Sequence, residues 1–228
     1  MKLLIDLSHE IRDGLVTYPG IPEPKISDVL TREASRERYA PGTEFLINRI
    51  DMAGQTGTYL DTPFHRYPDG FDLADLELDV VAGLPIVLID TIGRTEIRPD
   101  VLDGLDLAGH AVLFRTGWSV HFGTPAYAIG HPHLDGTSAA VLVARGARIV
   151  GIDSLNIDGT ATRERPVHSA LLAAGIPIVE QMANLDRLAE ALGDPGLESR
   201  FYAVPPRIRG FPTMSVRAFA VVKERPRR

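Results

Sequence analysis

"HSALLAAGIPIVE", His168 to Glu180, reads as a helix that stops at a glycine and comes back as a strand. Pro166, just upstream, suits a first helical turn, and Gly175 is the stop. The apolar run after it is short and reads as a buried strand. From His168 to Ala174 the helix climbs roughly 9 Å at 1.5 Å per residue. From Ile176 to Glu180 the strand covers roughly 13 Å at 3.3 Å per residue. An antiparallel return therefore brings Glu180 back near the level of His168. A glutamate inside "IPIVE" needs a partner if it is buried; the alternative is an exposed residue at the strand's end.

The same alternation extends outward. "GTSAAVLVARG" reads as a helix with Thr137 or Ser138 as cap and Gly146 as stop, and "NLDRLAEALG" as another. "KLLIDL", "LPIVLID" (84–90), "HAVLFRT" (110–116), "ARIVGID" (147–153), "IPIVEQM" (176–182) and "SVRAFAVV" (215–222) read as strands. The continuously apolar ones look buried on both faces. Strand and helix alternate through the second half, which predicts an α/β fold with a mixed or parallel sheet carrying helices. The loops "YPGIPEP", "YPDGFD" and "VPPRIRGFP" are rich in glycine and proline, as loops that carry function often are.

The 228 residues fit one domain over 1–228. A formal charge of −6 argues against a nucleic-acid partner, and the basic "RPRR" at the end reads as a solvated tail. With no cysteine, disulfides, thiolate nucleophiles and cysteine-based zinc sites are excluded. The amino terminus is too short in apolar residues for a signal segment, and no run is long enough to span a bilayer. The expectation is a cytoplasmic protein with no membrane partner.

Chemistry concentrates in "QTGTYLDTPFHR", Gln55 to Arg66. Thr62 precedes a proline and is pushed toward extended backbone. In an extended segment Gln55, Gly57, Tyr59, Asp61, Pro63 and His65 share one face. Ten straight residues would span roughly 33 Å, too long for one site, so the segment must bend, and Gly57 is the expected pivot. Asp61 and His65 then converge with Tyr59 and Gln55. The plainer alternative is the polar face of an edge strand.

"QTGTYLDTPFH" resembles the "HxGTHxDxPxH" signature of the cyclase family of metal-dependent hydrolases, which includes kynurenine formamidases and isatin hydrolases. The resemblance covers nearly the whole chain: "DLSHEIRDGLVTYPG" is similar to the family's opening, "FRTGW" and "GIDSLNIDG" to its central strands, "HSALLAAGIPIVEQMANL" to its segment with a late His and Glu, and "MSVRAFA" to its last strand. It implies a swivelling β/β/α domain with a mixed sheet and flanking helices, and a homo-oligomer, dimer or tetramer. It also implies that Asp61, His168 and Glu180 are metal ligands and that His65 is the acid–base residue, with Glu180 also catalytic. Two family histidines are replaced here by Gln55 and Tyr59.

Those replacements change the donor set. Glutamine offers a neutral amide oxygen, and tyrosine binds metal well only as phenolate. Two carboxylates and one imidazole are harder than a histidine-rich set and favour manganese, magnesium or iron over zinc. Without any metal, Asp61 and Glu180 lie close as like charges, one keeps a proton, and the pair with His65 still suits acid–base chemistry. A divalent metal (Zn, Mn or Mg) and no cofactor thus both stand. Gln55, Tyr59, Trp118 and Phe64 are the candidate substrate-binding residues. His131 and His133 in "GHPHLD" have a spacing that can bind metal but read as a loop entering a helix; His9 reads as structural or at the pocket mouth. The function expected is hydrolysis of a small amide, formamide or lactone-like molecule by activated water. A metal-independent cyclase, dehydratase or isomerase and a non-catalytic binding protein are the alternatives.

Overall fold

The structure, a computed structural model, describes residues 2–194 and 197–224. The basic tail at 225–228 lies outside them. The strands are β1 (Lys2–Asp6), β2 (Lys25–Leu30), β3 (Ile47–Asp51), β4 (Tyr59–Asp61), β5 (Ala82–Asp90), β6 (Glu96–Ile97), β7 (Ala111–Arg115), β8 (His133–Leu134), β9 (Ile149–Ile152), β10 (Ile178–Glu180), β11 (Leu197–Tyr202), β12 (Thr213–Ser215) and β13 (Phe219–Glu224). The α-helices are α1 (Arg32–Ser35), α2 (Gly136–Ala144), α3 (Pro166–Ala173) and α4 (Leu185–Leu192).

Nine strands form one mixed sheet in the order β1-β13-β11-β5-β7-β9-β10-β4-β12. Its middle, β5-β7-β9-β10, is parallel, as the alternation predicts. Both flanks are antiparallel. The parallel strands are continuously apolar because both faces are covered. On one face Val112, Phe114, Val150, Ile152 and Ile178 pack with Ala139 and Leu142 of α2 and Val167, Leu171 and Leu172 of α3. On the other, Leu60, Leu113, Ile149 and Val179 pack with Leu185 and Leu188 of α4, joined by Ile5, Phe201, Ala220 and Val222.

β12 is an edge strand next to β4, whereas β13 lies second from the opposite edge, and only Val216 to Ala218 separate them in the chain. The sheet must therefore curl until its edges approach. Val216 N–H donates to Thr58 O beside one edge, and Leu7 N–H to Ala218 O beside the other. This corrects the single strand expected over 215–222: the chain changes sheet edge in its middle, so the strand divides. A second correction concerns α2. Its cap is Asp135, whose carboxylate accepts from Ser138 N–H at 2.9 Å, rather than Thr137 or Ser138. An aspartate one residue outside the helix reaches the amide of the third helical residue, in the first turn, which the hydroxyls, already inside, do not. Among the described residues no helix is long and apolar enough to cross a membrane. β2 and β3 form a separate two-stranded hairpin, which the sequence reading did not identify.

Candidate active site

The register of three strands builds the floor. Tyr59 of β4 lies opposite Glu180 of β10, and Asp61 opposite Ile178. On the other side of β4, Thr213 of β12 lies opposite Asp61. Since alternate residues share a face, Tyr59, Asp61 and Glu180 all project to the α3 side. All three are buried.

The chain reaches this geometry by two bends rather than one. Gly57 has φ +68°, and a Cβ there would stand 2.9 Å from Ile11 Cγ1, so the expected pivot is a glycine for both reasons. The second bend is a 3₁₀ turn, Pro63–His65, with Pro63 in its first turn and Thr62 extended before it. That turn corrects the expectation of a straight face from Asp61 to His65. It folds His65 back so that its Nδ1 is 4.0 Å from Asp61 Oδ1 and 3.3 Å from the Thr213 hydroxyl. The same hydroxyl donates a hydrogen bond to Asp61 Oδ1.

His168 enters from the first turn of α3. The buried Asp158 carboxylate accepts from Val167 N–H (2.8 Å), His168 N–H (3.0 Å) and His168 Nδ1 (2.6 Å). It caps the helix and sets the imidazole ring at once, leaving Nε2 to face inward. Nε2 lies 3.7 Å from Asp61 Oδ2 and 3.7 Å from Glu180 Oε1. The helix–strand return thus brings His168 and Glu180 together. Glu180 is otherwise tied down: the Tyr59 phenol donates to its Oε2 and Ile157 N–H to its Oε1 at 2.5 Å.

Burial pushes the Glu180 carboxyl up to about 7, against the lowering effect of His168 and with the raising effect of Asp61. Burial, reinforced by the charges of Glu180 and Asp61, holds the Tyr59 phenol well above its usual value. Tyr59 is therefore a hydrogen-bond donor, and its proton is spent on Glu180. His168 is pushed down by burial, but Glu180, Asp158 and Asp61 outweigh that and hold it up to about 10.

Asp61 Oδ2 is buried and has no hydrogen-bond partner. That orphan faces His168 Nε2, and Asp61, His65 and His168 bring one ligand atom each to within 4.8 Å of one another. A carboxylate with a free oxygen, an imidazole oriented by a second carboxylate and a further imidazole are a donor set that fits a divalent cation. His65 joins Asp61 and His168 in this grouping, and Glu180, the third ligand the resemblance implies, lies 3.7 Å from His168 Nε2 with both oxygens accepting hydrogen bonds.

A cavity of about 700 Å³ opens over these groups, lined among others by Gln55, Tyr59, His65, His168 and Glu180. Asp61 lies beneath it. Trp118 and Phe64, expected to bind substrate, are not among the residues that line it. The Trp118 indole is turned to donate to Tyr127 O at 2.9 Å. His9 lies outside it too, stacked on Phe122 with ring centroids 3.7 Å apart. His131 and His133 line a different hollow, with no metal-like grouping among the described residues. His133 belongs to the short strand β8, paired with β6, rather than to a loop. The sequence reading missed Asp158, Asn156, Thr213 and the contributions of Tyr18 and Ile21. For Asp158 the signal was the buried-looking "NIDG" after a strand; for Tyr18 and Ile21 it was the loop "YPGIPEP".

Comparisons with known proteins agree with this architecture. The Cyclase family model, described as "Putative cyclase", matches residues 5–159. A kynurenine formamidase of Bacillus cereus is 28% identical over 190 residues, 82% of this chain and 84% of that protein. A solved structure described as a potential metal-dependent hydrolase with cyclase activity is 25% identical and superposes with a TM-score of 0.77, covering 99% of this chain and 100% of its own. Isatin hydrolase A from Labrenzia aggregata shares the fold at a TM-score of 0.80 and 22% identity, covering 98% of this chain and 94% of its own. A family model that takes in the β4 segment with its flanking turns, on a fold matched from end to end, means that this chain belongs to the Cyclase family, among relatives named as hydrolases.

Proposed function

We propose that this protein hydrolyses a small amide, with a formamide as the favoured class, at the cavity above Asp61, His168 and Glu180. One observation carries the reading. His168 Nε2 stands 3.7 Å from two buried carboxylates at the floor of an open cavity, with His65 at its side. A structural role gives no reason to bury two carboxylates beside a cavity, one of them with an unsatisfied oxygen. The named activity of the B. cereus relative supports the same reading.

Asp61, His65 and His168 would hold a divalent cation, which when bound polarises a carbonyl and lowers the pKa of water. Two imidazoles and one carboxylate suit zinc as well as iron or manganese. The chain's own residues supply the rest. Gln55 offers an amide on the cavity wall to orient the carbonyl group. Water oxygen bonds to the carbonyl carbon, the carbon–nitrogen bond breaks, and the leaving nitrogen needs a proton. Glu180, with its carboxyl near 7, takes a proton from water and returns it close to neutral pH. In the metal-free form His65, whose side chain is 33% exposed at the cavity, is free to carry that proton to the leaving nitrogen in place of Glu180. Tyr59 keeps Glu180 in place.

One observation favours a metal-free variant. A protonated His168 would itself be a cation between Asp61, Glu180 and Asp158, filling the electrostatic place of a metal. Aryl formamide hydrolysis, followed by release of the arylamine before and after exhaustive chelation with metal content measured in parallel, tests both. Activity that tracks metal content supports the metal-bound form; activity in the metal-free protein supports the variant. No hydrolysis of any amide, with metal restored, sinks the function.

A further inference from the structure

Residues 154–158, just beyond β9, hold the floor of the cavity from one side. Ile157 N–H donates to Glu180 Oε1 at 2.5 Å, and the Asp158 carboxylate sets the His168 ring. Asn156 precedes both, is 7% exposed and lines the cavity. It does not line the neighbouring hollow at His131 and His133. Its Oδ1 accepts from Asp158 N–H at 3.0 Å, a local turn in which the side-chain oxygen reaches the amide two residues on. That bond settles which end of the side-chain amide is oxygen. The planar group then directs Nδ2 away from the turn. Among the described residues Nδ2 has no acceptor, and it is not one of the unpartnered side-chain atoms sealed from solvent, which belong to His9, Asp61, Tyr127 and Gln181. A neutral donor, held by its own oxygen, thus opens on the cavity one residue from the amide that holds Glu180.

The other donors around the floor are spent. The Tyr59 phenol and Ile157 N–H serve Glu180, the Thr213 hydroxyl serves Asp61, and Val167 N–H and His168 N–H serve Asp158. His168 Nε2 stands between two carboxylates. Gln55 carries an amide too, but the bond it accepts, from the Thr17 hydroxyl, goes to its backbone oxygen and leaves the side chain unheld. Asn156 is the donor whose direction is fixed and whose hydrogen is free.

We propose that Asn156 Nδ2 donates to the carbonyl oxygen of the amide as negative charge develops on it. This rests on the reading of the cavity as a site of amide hydrolysis. As the water oxygen bonds to the carbonyl carbon, the electron pair of the carbonyl bond moves onto its oxygen, and the water proton goes to Glu180. The Asn156 N–H holds that oxygen without giving up its own proton. When the carbon–nitrogen bond breaks, the pair returns and the carbonyl re-forms. Two carboxylates on the floor oppose a further negative charge beside them, so a preorganised donor there acts mainly on the transition state. A side-chain amide does not titrate, so the donor is present at every working pH.

The test compares the full chain with Asn156→Ala and Asn156→Asp, with metal content measured in each. The aspartate keeps an oxygen for Asp158 N–H, and with it the turn, but has no N–H. The substrates are formanilide and thioformanilide, whose sulfur is a poor hydrogen-bond acceptor. Both variants are expected to lose about 10²–10³-fold in kcat on formanilide, with KM nearly unchanged. The parent's preference for the oxygen substrate is expected to fall at least about tenfold in both. A purely structural role would slow the two substrates alike and leave that preference where it was. Variants with the parent's kcat, or with a lower kcat and the preference unchanged, would overturn the inference and leave the hydrolytic reading standing. A parent that cleaves neither substrate, with metal restored, would remove the reading and the inference with it.

Discussion

Tyr59 and Glu180 face each other across an antiparallel strand pair, and the phenol of one donates its proton to the buried carboxylate of the other. In this chain a tyrosine stands where the resemblance leads one to expect a metal-binding histidine. Its effect is to convert the neighbouring glutamate from a free ligand into a restrained acid.

Removing that phenol should therefore cost stability. Tyr59→Phe leaves Glu180 Oε2 buried without a donor, a penalty of about 1–3 kcal/mol. Urea unfolding at pH 8, where the carboxyl would be charged, is expected to show it. An unchanged midpoint would mean that another donor takes the phenol's place.

Asp158→Asn should weaken two things at once. It removes the charged acceptor of two α3 amides and of His168 Nδ1. Loss of such an outer partner typically lowers metal affinity by about 10–100-fold. Manganese titration of both proteins, with far-ultraviolet dichroism to follow α3, checks this. Equal affinity would remove His168 from the donor set.

His65→Ala is expected to cut turnover by roughly 10²–10⁴-fold, the usual range for an acid–base group. Because His65 also belongs to the triad, metal content separates its roles. A mutant that keeps its metal and loses turnover marks a proton shuttle; one that loses both marks a ligand.

Changing both Gln55 and Tyr59 to histidine adds two imidazoles and frees a Glu180 oxygen. Zinc should bind more tightly to the double variant than to the parent. Isothermal titration with zinc decides it, and equal affinities would show that neither position faces the ion.

His9 gives a pH dependence of known sign. Burial lowers it from 6.5 to about 4, a backbone hydrogen bond opposing. Between those values the unfolded chain binds a proton that the folded chain does not, so stability rises with pH across the window. The contribution is present above pH 6.5 and lost as pH falls towards 4. Allowing for a ring still partly reached by solvent, it amounts to about 1–2 kcal/mol. Subtracting His9→Gln from the parent, in urea midpoints taken from pH 4 to 7, isolates it; parallel curves would show that His9 titrates normally.

Much of the fold could be read in advance because its central strands are unbroken apolar runs between glycine-stopped helices, and β7 and β9 are buried on both faces as such runs require. The short strands were harder. β4 and β12 are three residues each, too short for any period to show, and their pairing depends on curvature that no local pattern encodes. That Asp61, His168 and Glu180 come together was legible from residue types and spacing. Asp158 was not, because a helix cap eight or more residues upstream of the helix it serves looks in sequence like an ordinary loop aspartate. Trp118 lies off the cavity lining with its indole bonded to Tyr127 O, because an indole near a strand end serves a turn as readily as a substrate.

The curled sheet also bears on how the molecule comes into being. Tyr59 meets its hydrogen-bond partner 121 residues later, and Asp61 meets Thr213 152 residues later. Closing loops of that length is slow, and topologies dominated by such contacts fold slowly. As a growing chain leaves the ribosome, β4 waits unpaired on both edges until β10 and then β12 arrive. Chaperone demand should therefore concentrate on that interval. The acids of the floor meet when β4 pairs with β10, and closure of the curl by β12 adds the Thr213 hydroxyl that holds Asp61.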